Sequence, residues 1–274
     1  AQLFSQVYCS LQIGLQSSDP EILRTINRRF DPLLFTKKMD LLNSFGVVFG
    51  LDLIIGLPGD SLQKFEQSLA FAIAQKPSNL DIFPLAILPG TLLAEQADSY
   101  GIVYDHASPY LIVESPTMGK DDLAQALKLK EACDRFYTQG NAAMWFQTAC
   151  EGVEMSASEF LYAFHRFLRQ HDPAGEADIF ELQDRFVREI YHTRTKDALL
   201  PAMLSYMELH QGLSFLQETG ESPVVELYFA PESLVELDTA SLAEFMRRRP
   251  AFKQPRPFAI YEDDGEYYFE EVKN

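Results

Sequence analysis

Three apolar stretches, each followed by an amphipathic one, constrain the fold of this chain more than any other feature. "VYCSLQIGLQ" (7–16), "VVFGLDLIIGL" (47–57) and "LDIFPLAIL" (80–88) have the length and the Val, Ile, Leu and Phe content of buried strands. Helical spacing fills the gaps between them. "DPEILRTIN" (19–27) and "DPLLFTKKMDLLNSFG" (31–46) both open on Asp-Pro. Asp at that place accepts the orphan N–H groups of a first turn, Pro fits the first helical position, and Gly46 suits a C-terminal cap. "DSLQKFEQSLAFAIAQ" (60–75) is the next helix and "GTLLAEQADSYG" (90–101) a short one. Strands apolar on both faces, alternating with helices, predict a parallel sheet covered by helices.

Three such units are too few to close a barrel of eight, which takes roughly 250 residues. The expected fold is therefore α/β: a partial (half) TIM-like barrel with parallel strands over residues 1–110, or a small open sheet. Past residue 110 the pattern changes. "KDDLAQALKLKEACDRFYTQGNAAMWFQTACEG" (120–152) is helical with a break near Gly140-Asn141. "SASEFLYAFHRFLRQH" (156–171), "DIFELQDRFVREIYH" (178–192) and "DALLPAMLSYMELHQGL" (197–213) are further helices, the last kinked or started at Pro201. "VVELYF" (224–229), a helix over 239–248 and "PFAIYEDDGEYYFEEV" (257–272) close the chain, with Asp264-Gly265 marking a hairpin. Residues 111–274 are thus expected to form a mainly helical extension with a small β element.

Charge narrows the partners. The net charge is −17; residues 1–110 carry seven Lys/Arg against eleven Asp/Glu, and residues 111–274 carry sixteen against twenty-nine. The second region repels polyanions, which argues against nucleic acid. Arg247-Arg248-Arg249 reads as the cationic end of a helix before Pro250. No apolar run is long enough to span a bilayer, and no secretory signal pattern opens the chain. Cys9, Cys133 and Cys150 are spaced for neither a disulfide framework nor a local metal loop, which suits a reducing cytoplasm. His165, His171, His192 and His210 lack ligand spacing and read as helix-surface or boundary residues. The chain starts on Ala1, almost inside a strand, and the expectation is a cut boundary.

Ligands of parallel α/β sheets bind beyond the carboxyl ends of the strands. The three ends here offer Gly14, Gln16, Ser17 and Ser18; Asp52 with "GLPGDS" (56–61); and Ala86 with the Pro89-Gly90 turn. Asp52, an acid inside "LDLII", needs donors or a ligand. From the residues alone, a satisfied structural carboxylate and a ligand-binding one weigh about equally.

Together the three ends resemble the C-terminal half of a radical S-adenosylmethionine (SAM) barrel, in its oxygen-independent coproporphyrinogen-oxidase-like and Elp3/MiaB-like group. That family ends its fourth strand in G-x-Q-S or G-x-E-S with an Arg twelve residues after the Gln; "GLQSSDPEILRTINR" places Gln16 and Arg28 so. "DLIIGLPGDS" is similar to the fifth-strand "DLIYGLPGQT", and "FPLAILPGT" to the sixth-strand "F-x-x-A-x-L-P-G-T". The resemblance covers about residues 7–105. It implies Gln16 and Asp52 on the ribose hydroxyls of SAM, Arg28 on its carboxylate, Ile54 against the adenine and the backbone near Ala86 at the adenine edge.

The family's chemistry also needs a [4Fe–4S] cluster held by C-x3-C-x2-C, a motif this chain lacks. The resemblance therefore implies the C-terminal portion of an iron-sulfur enzyme that cleaves SAM reductively, inactive alone, with SAM and the cluster as cofactors of the intact protein. Residues after 110 resemble the C-terminal extension that follows the barrel in an uncharacterised subgroup whose members are often preceded by a cobalamin-binding domain, which implies cobalamin as a further candidate cofactor of the intact protein. A half barrel would leave strand edges and an apolar sheet face uncovered, so the helical extension or a second copy is expected over the 7–16 strand. Two other classes compete: a non-catalytic binding or scaffold module on a small parallel sheet, and an independent α/β enzyme using Asp52 and Gln16 as acid and base.

Overall fold

The computed structural model describes residues 1, 3–4 and 9–272. Residues 7 and 8, where the first strand is expected to begin, lie outside the described residues. The chain divides into two compact units, Ala1–Thr138 with Leu161–His165, and Gln139–Phe160 with Arg166–Asn274.

The first unit runs β1 (Leu11–Gln16), α1 (Pro20–Thr25), α2 (Pro32–Ser44), β2 (Phe49–Ile55), α3 (Leu62–Ala74), β3 (Asn79–Pro84), α4 (Leu92–Gln96), β4 (Val103–Tyr104), β5 (Ile112–Glu114) and α5 (Lys120–Cys133). It is a mixed α/β architecture. β1, β2 and β3 form a parallel sheet in that order, with Gly14 opposite Asp52 and Asp52 opposite Asp81. The first two caps lie where the sequence puts them. Asp19 accepts from the Glu21 and Ile22 amides and Asp31 from Leu34, while α3, expected from Asp60, is capped one residue later by Ser61, which accepts from Lys64. Beyond β3 the chain pairs antiparallel, Ala86 against Leu111, and β4 pairs antiparallel with β5. This turn of topology has no apolar alternation to announce it.

The sheet corrects one expectation. β2 is not apolar on both faces. Phe49, Leu51, Leu53 and Ile55 are buried, with Leu80 and Ile82 of β3 and Leu15 of β1, on the side packed by α3. The other face carries Gln12, Gly14, Gly50, Asp52, Ile54, Asn79, Asp81 and Phe83, and Phe83 is 51% exposed. Gly50, which adds no side chain, and Ile54 make a two-faced strand read as uniformly apolar. The open face of this sheet is therefore largely polar, so it needs no apolar cover. β1 is an edge strand, paired only with β2 among the described residues.

The second unit holds α6 (Phe146–Gly152), the ends of α7 (Ala157–His171), α8 (Ile179–Thr193), α9 (Leu200–Thr219), β6 (Val224–Leu227), α10 (Pro231–Leu234), α11 (Leu242–Arg248), β7 (Arg256–Asp263) and β8 (Glu266–Glu271). Its core is aromatic. Phe160 meets Phe146 and Phe186 edge-on, with centroids 5.4 and 5.1 Å apart, and Phe229 meets Phe245 at 4.9 Å. Such pairs add stability beyond the area they bury. Tyr191, buried here, donates its hydroxyl to the Ala149 carbonyl at 3.2 Å. The β6–β7–β8 sheet is antiparallel. Asp264 and Gly265 both have positive φ, 50° and 80°, the left-handed pair that a two-residue hairpin requires. α9 begins at Leu200 beside Pro201, after a 3₁₀ turn over Asp197–Leu199. Among the described residues no helix is long and apolar enough to cross a membrane.

Candidate functional site

The predicted residues from the first two strands converge on the open face around Gly14. β1 bulges between Gly14 and Gln16, and Gln16 takes φ 69°, in the left-handed region. A glutamine held there is strained by about 1–3 kcal/mol, and such outliers persist where the surroundings over-determine them. The bulge returns the Gln16 amide toward Gly14: a Cβ on Gly14 would meet the Gln16 amide nitrogen at 2.5 Å. Arg28, exposed beyond α1, reaches back and donates from Nη1 to the Gly14 carbonyl at 2.7 Å. Its remaining guanidinium donors, and the Gln16 amide, have no partner among the described residues. Gly14 lies opposite Asp52 in register, and Ile54 follows two residues later on the same face.

Asp52 is engaged on one side. Gln12, which the sequence reading passed over, donates its amide to Asp52 Oδ1 and, at 3.1 Å, to Asp81 Oδ2. Asn79 donates to the same Asp81 oxygen at 3.1 Å and to Gln12 Oε1 at 3.4 Å. The two carboxylates on neighbouring strands are separated by an amide whose hydrogens both point at them. A Cβ on Gly50 would fall on the Asn79 and Gln12 amide oxygens, so the absent side chain makes room for this network. Asp52 Oδ2 keeps its lone pairs for another donor. Alternation was the available signal: Gln12, Gly14 and Gln16, like Asn79, Asp81 and Phe83, are two apart.

At the third strand end, Ile87 donates to the Tyr110 carbonyl and Ile112 to Leu85, both at 2.9 Å. These bonds flank Ala86, and the alternation of an antiparallel pair turns the Ala86 N–H and carbonyl to the opposite side. Neither has a partner among the described residues.

Ser17 and Ser18 do not join the site. Ser17 is 3% exposed, its hydroxyl 3.2 Å from that of Ser68 on α3, and Ser68 accepts from the Ser18 amide at 3.0 Å. They anchor the turn into α1. "GLPGDS" is likewise shaped by Asp60, whose carboxylate accepts from Gly56 N–H at 3.1 Å and Ser61 N–H at 2.9 Å. Burial pushes the Asp60 carboxyl up to about 6, against the pull of those two amides and of Lys64. Lys64 itself pairs with Asp19 at 2.9 Å.

The cysteines do not fit an iron–sulfur cluster. Cys133 and Cys150 are buried, and burial pushes both thiols well above their ordinary range, the opposite of the thiolates a cluster needs. Among the described residues no group of three or more His, Cys, Asp or Glu is arranged to hold a metal ion. The histidines take structural places. His165 shares a hydrogen bond with Glu131 at 3.2 Å and His192 one with Asp197 at 2.9 Å. His171 stacks on Phe167 and His210 sits edge-on to Tyr206. Arg248 and Arg249 are ion-paired with Glu244 and Glu236.

No protein-family model matches the chain, and no curated protein matches it. Among solved structures it is similar to the coproporphyrinogen III oxidase (HemN) of Escherichia coli, described as a radical SAM enzyme, at 13% identity and a TM-score of 0.30. The match covers 70% of this chain and 65% of that one, so the chain spans a little under two thirds of its length.

Proposed function

We propose that the open face of the β1–β3 sheet is half of a SAM site, within the C-terminal portion of a radical SAM barrel, and that the protein is cytoplasmic. The observation that carries this is the convergence on Gly14: an arginine with spare donors, a strained glutamine and a half-engaged aspartate lie together at the strand ends the motifs mark. The donor set suits a nucleoside with an amino-acid tail. Arg28 offers a fork to a carboxylate. Gln16 and Asp52 Oδ2 offer a donor and acceptors to vicinal hydroxyls. Ile54 offers an apolar platform, and Ala86 a backbone donor and acceptor at the edge of a base. When bound elsewhere in the intact enzyme, a [4Fe–4S] cluster would supply the electron for reductive SAM cleavage. This chain's own residues would hold the nucleoside and its amino-acid tail.

The test is calorimetric titration of the chain with S-adenosylhomocysteine, which keeps the nucleoside and carboxylate without the sulfonium. The expected result is saturable binding that Arg28→Ala weakens about tenfold, roughly 1.4 kcal/mol. Binding indifferent to Arg28→Ala, or absent, overturns the reading. Under the same proposal, the gene upstream of codon 1 encodes C-x3-C-x2-C.

A second reading, a non-catalytic module in which Asp52 is structural, is favoured by the hydrogen bond from Gln12 to Asp52. It predicts that Asp52→Asn lowers stability and leaves nucleoside affinity unchanged.

A further inference from the structure

A cavity of about 220 Å³ in the second unit lies among α8, α9, β6 and the turn at Asn141. Its polar groups form a one-sided set. Gln183, wholly buried, donates its amide to the Gly140 carbonyl at 2.9 Å; a carbonyl can only accept, so the orientation of this amide is fixed. Its oxygen then accepts from Gln211 Nε2 at 2.8 Å. That bond in turn leaves the oxygen of Gln211 as an acceptor at the cavity wall. Asn141 donates one amide hydrogen to Glu218 at 2.9 Å. Half-buried Glu208 has, among the described residues, only the Glu226 N–H as a hydrogen-bond donor, at 3.5 Å from one oxygen. The wall therefore offers two carboxylates and amide oxygens, while one hydrogen of each of the Gln211 and Asn141 amides is already engaged.

The remaining wall is aromatic. Phe180 and Phe215 line the same cavity, 39% and 44% exposed, large rings left to water in a unit that buries most of its phenylalanines. The face of an aromatic ring attracts cations. Burial, with Asp184 and Glu226 close by, pushes the Glu208 carboxyl up, against the pull of the Glu226 amide and of Arg188.

We infer that this cavity binds a small organic cation, an ammonium or guanidinium group on an apolar body, with its N–H donors on Glu208, Gln211 and Glu218 and its body against Phe180 and Phe215. Such a ligand supplies the positive charge that the two carboxylates of the wall call for. This site is independent of the nucleoside reading.

The test is a heteronuclear NMR titration of the whole chain with four probes of one shape: benzylammonium, benzyltrimethylammonium, benzyl alcohol and benzoate. Benzylammonium is expected to give saturable shifts at the lining residues, with an affinity about tenfold above that of the alcohol and of the donorless trimethyl cation, and benzoate none. Glu208→Gln is expected to weaken benzylammonium about tenfold. Glu218→Gln, at an exposed position that folding tolerates, weakens it severalfold and decides the matter if the first variant is unstable. Equal binding of the alcohol, binding of benzoate, or no saturable shift with benzylammonium at about 10 mM overturns the inference. Tighter binding of a lysine-containing tripeptide than of the free amine overturns the small-molecule assignment.

Discussion

The two units use polar residues in opposite ways. In the first, amides and carboxylates are spread over one open face of a parallel sheet, on the side away from α3, and a glutamine is held in a strained backbone conformation. In the second, fold and core rest on packed aromatic rings, and polar side chains gather in a chain of oriented amides ending at one cavity. The difference teaches where to look for function. A sheet can give up one face because its backbone hydrogen bonds are satisfied laterally, whereas a helical unit must bury a stripe of every helix and has only gaps between helices to offer.

The largest effect expected from breaking the comparison lies in the second unit's core. Phe160→Ala, which removes the ring between Phe146 and Phe186, is expected to cost about 3–5 kcal/mol in chemical denaturation. A substitution on the open sheet face such as Asn79→Ala is expected to cost far less, on the order of 1 kcal/mol.

Next is the pH dependence built into the first unit. Asp60 rises from 3.8 to about 6 on folding, chiefly through burial. The folded state therefore binds the proton more tightly, and linkage makes stability fall as pH rises from about 4 to about 6, then level off. The contribution is about 3 kcal/mol at most, from 1.36 kcal/mol per unit. Denaturation at pH 4 and pH 7 in wild type and Asp60→Asn isolates it, because other carboxylates cancel in the difference. An equal pH response in both proteins contradicts the assignment.

The smallest effect is the most diagnostic. Gln16→Gly is expected to stabilise the chain by about 1 kcal/mol, because glycine adopts φ 69° without strain. The same substitution removes an amide from the proposed nucleoside site and is expected to weaken S-adenosylhomocysteine about tenfold. Stability and affinity moving together would show that the Gln16 conformation serves only the fold.

Much of the fold was legible in the residues. Asp19 and Asp31 announced two helix starts because a cap is a local event, complete within four residues. Asp264-Gly265 announced its hairpin for the same reason. The polar face was not legible, because Gln12, Asn79 and Asp81 acquire meaning only from the register that sets them beside Asp52. The antiparallel pairing of Ala86 with Leu111 was hidden too, since its partner is 25 residues away in a segment without alternation. Ser17 and Ser18 misled in the other direction: small polar residues at a strand end face a ligand or a neighbouring helix, and only Ser68 decides which. The convergence of Arg28 on Gly14 was likewise hidden, because the twelve-residue spacing fixes the turn of helix and not the aim of the side chain.

Backbone NMR shift mapping with S-adenosylhomocysteine tests whether the open face of the β1–β3 sheet holds a nucleoside. The expected result is saturable shifts centred on Gly14, Gln16, Asp52, Ile54 and the Ala86 amide, with the second unit's signals unmoved. Shifts confined to the second unit, or none at the strand ends at about 10 mM ligand, contradict it.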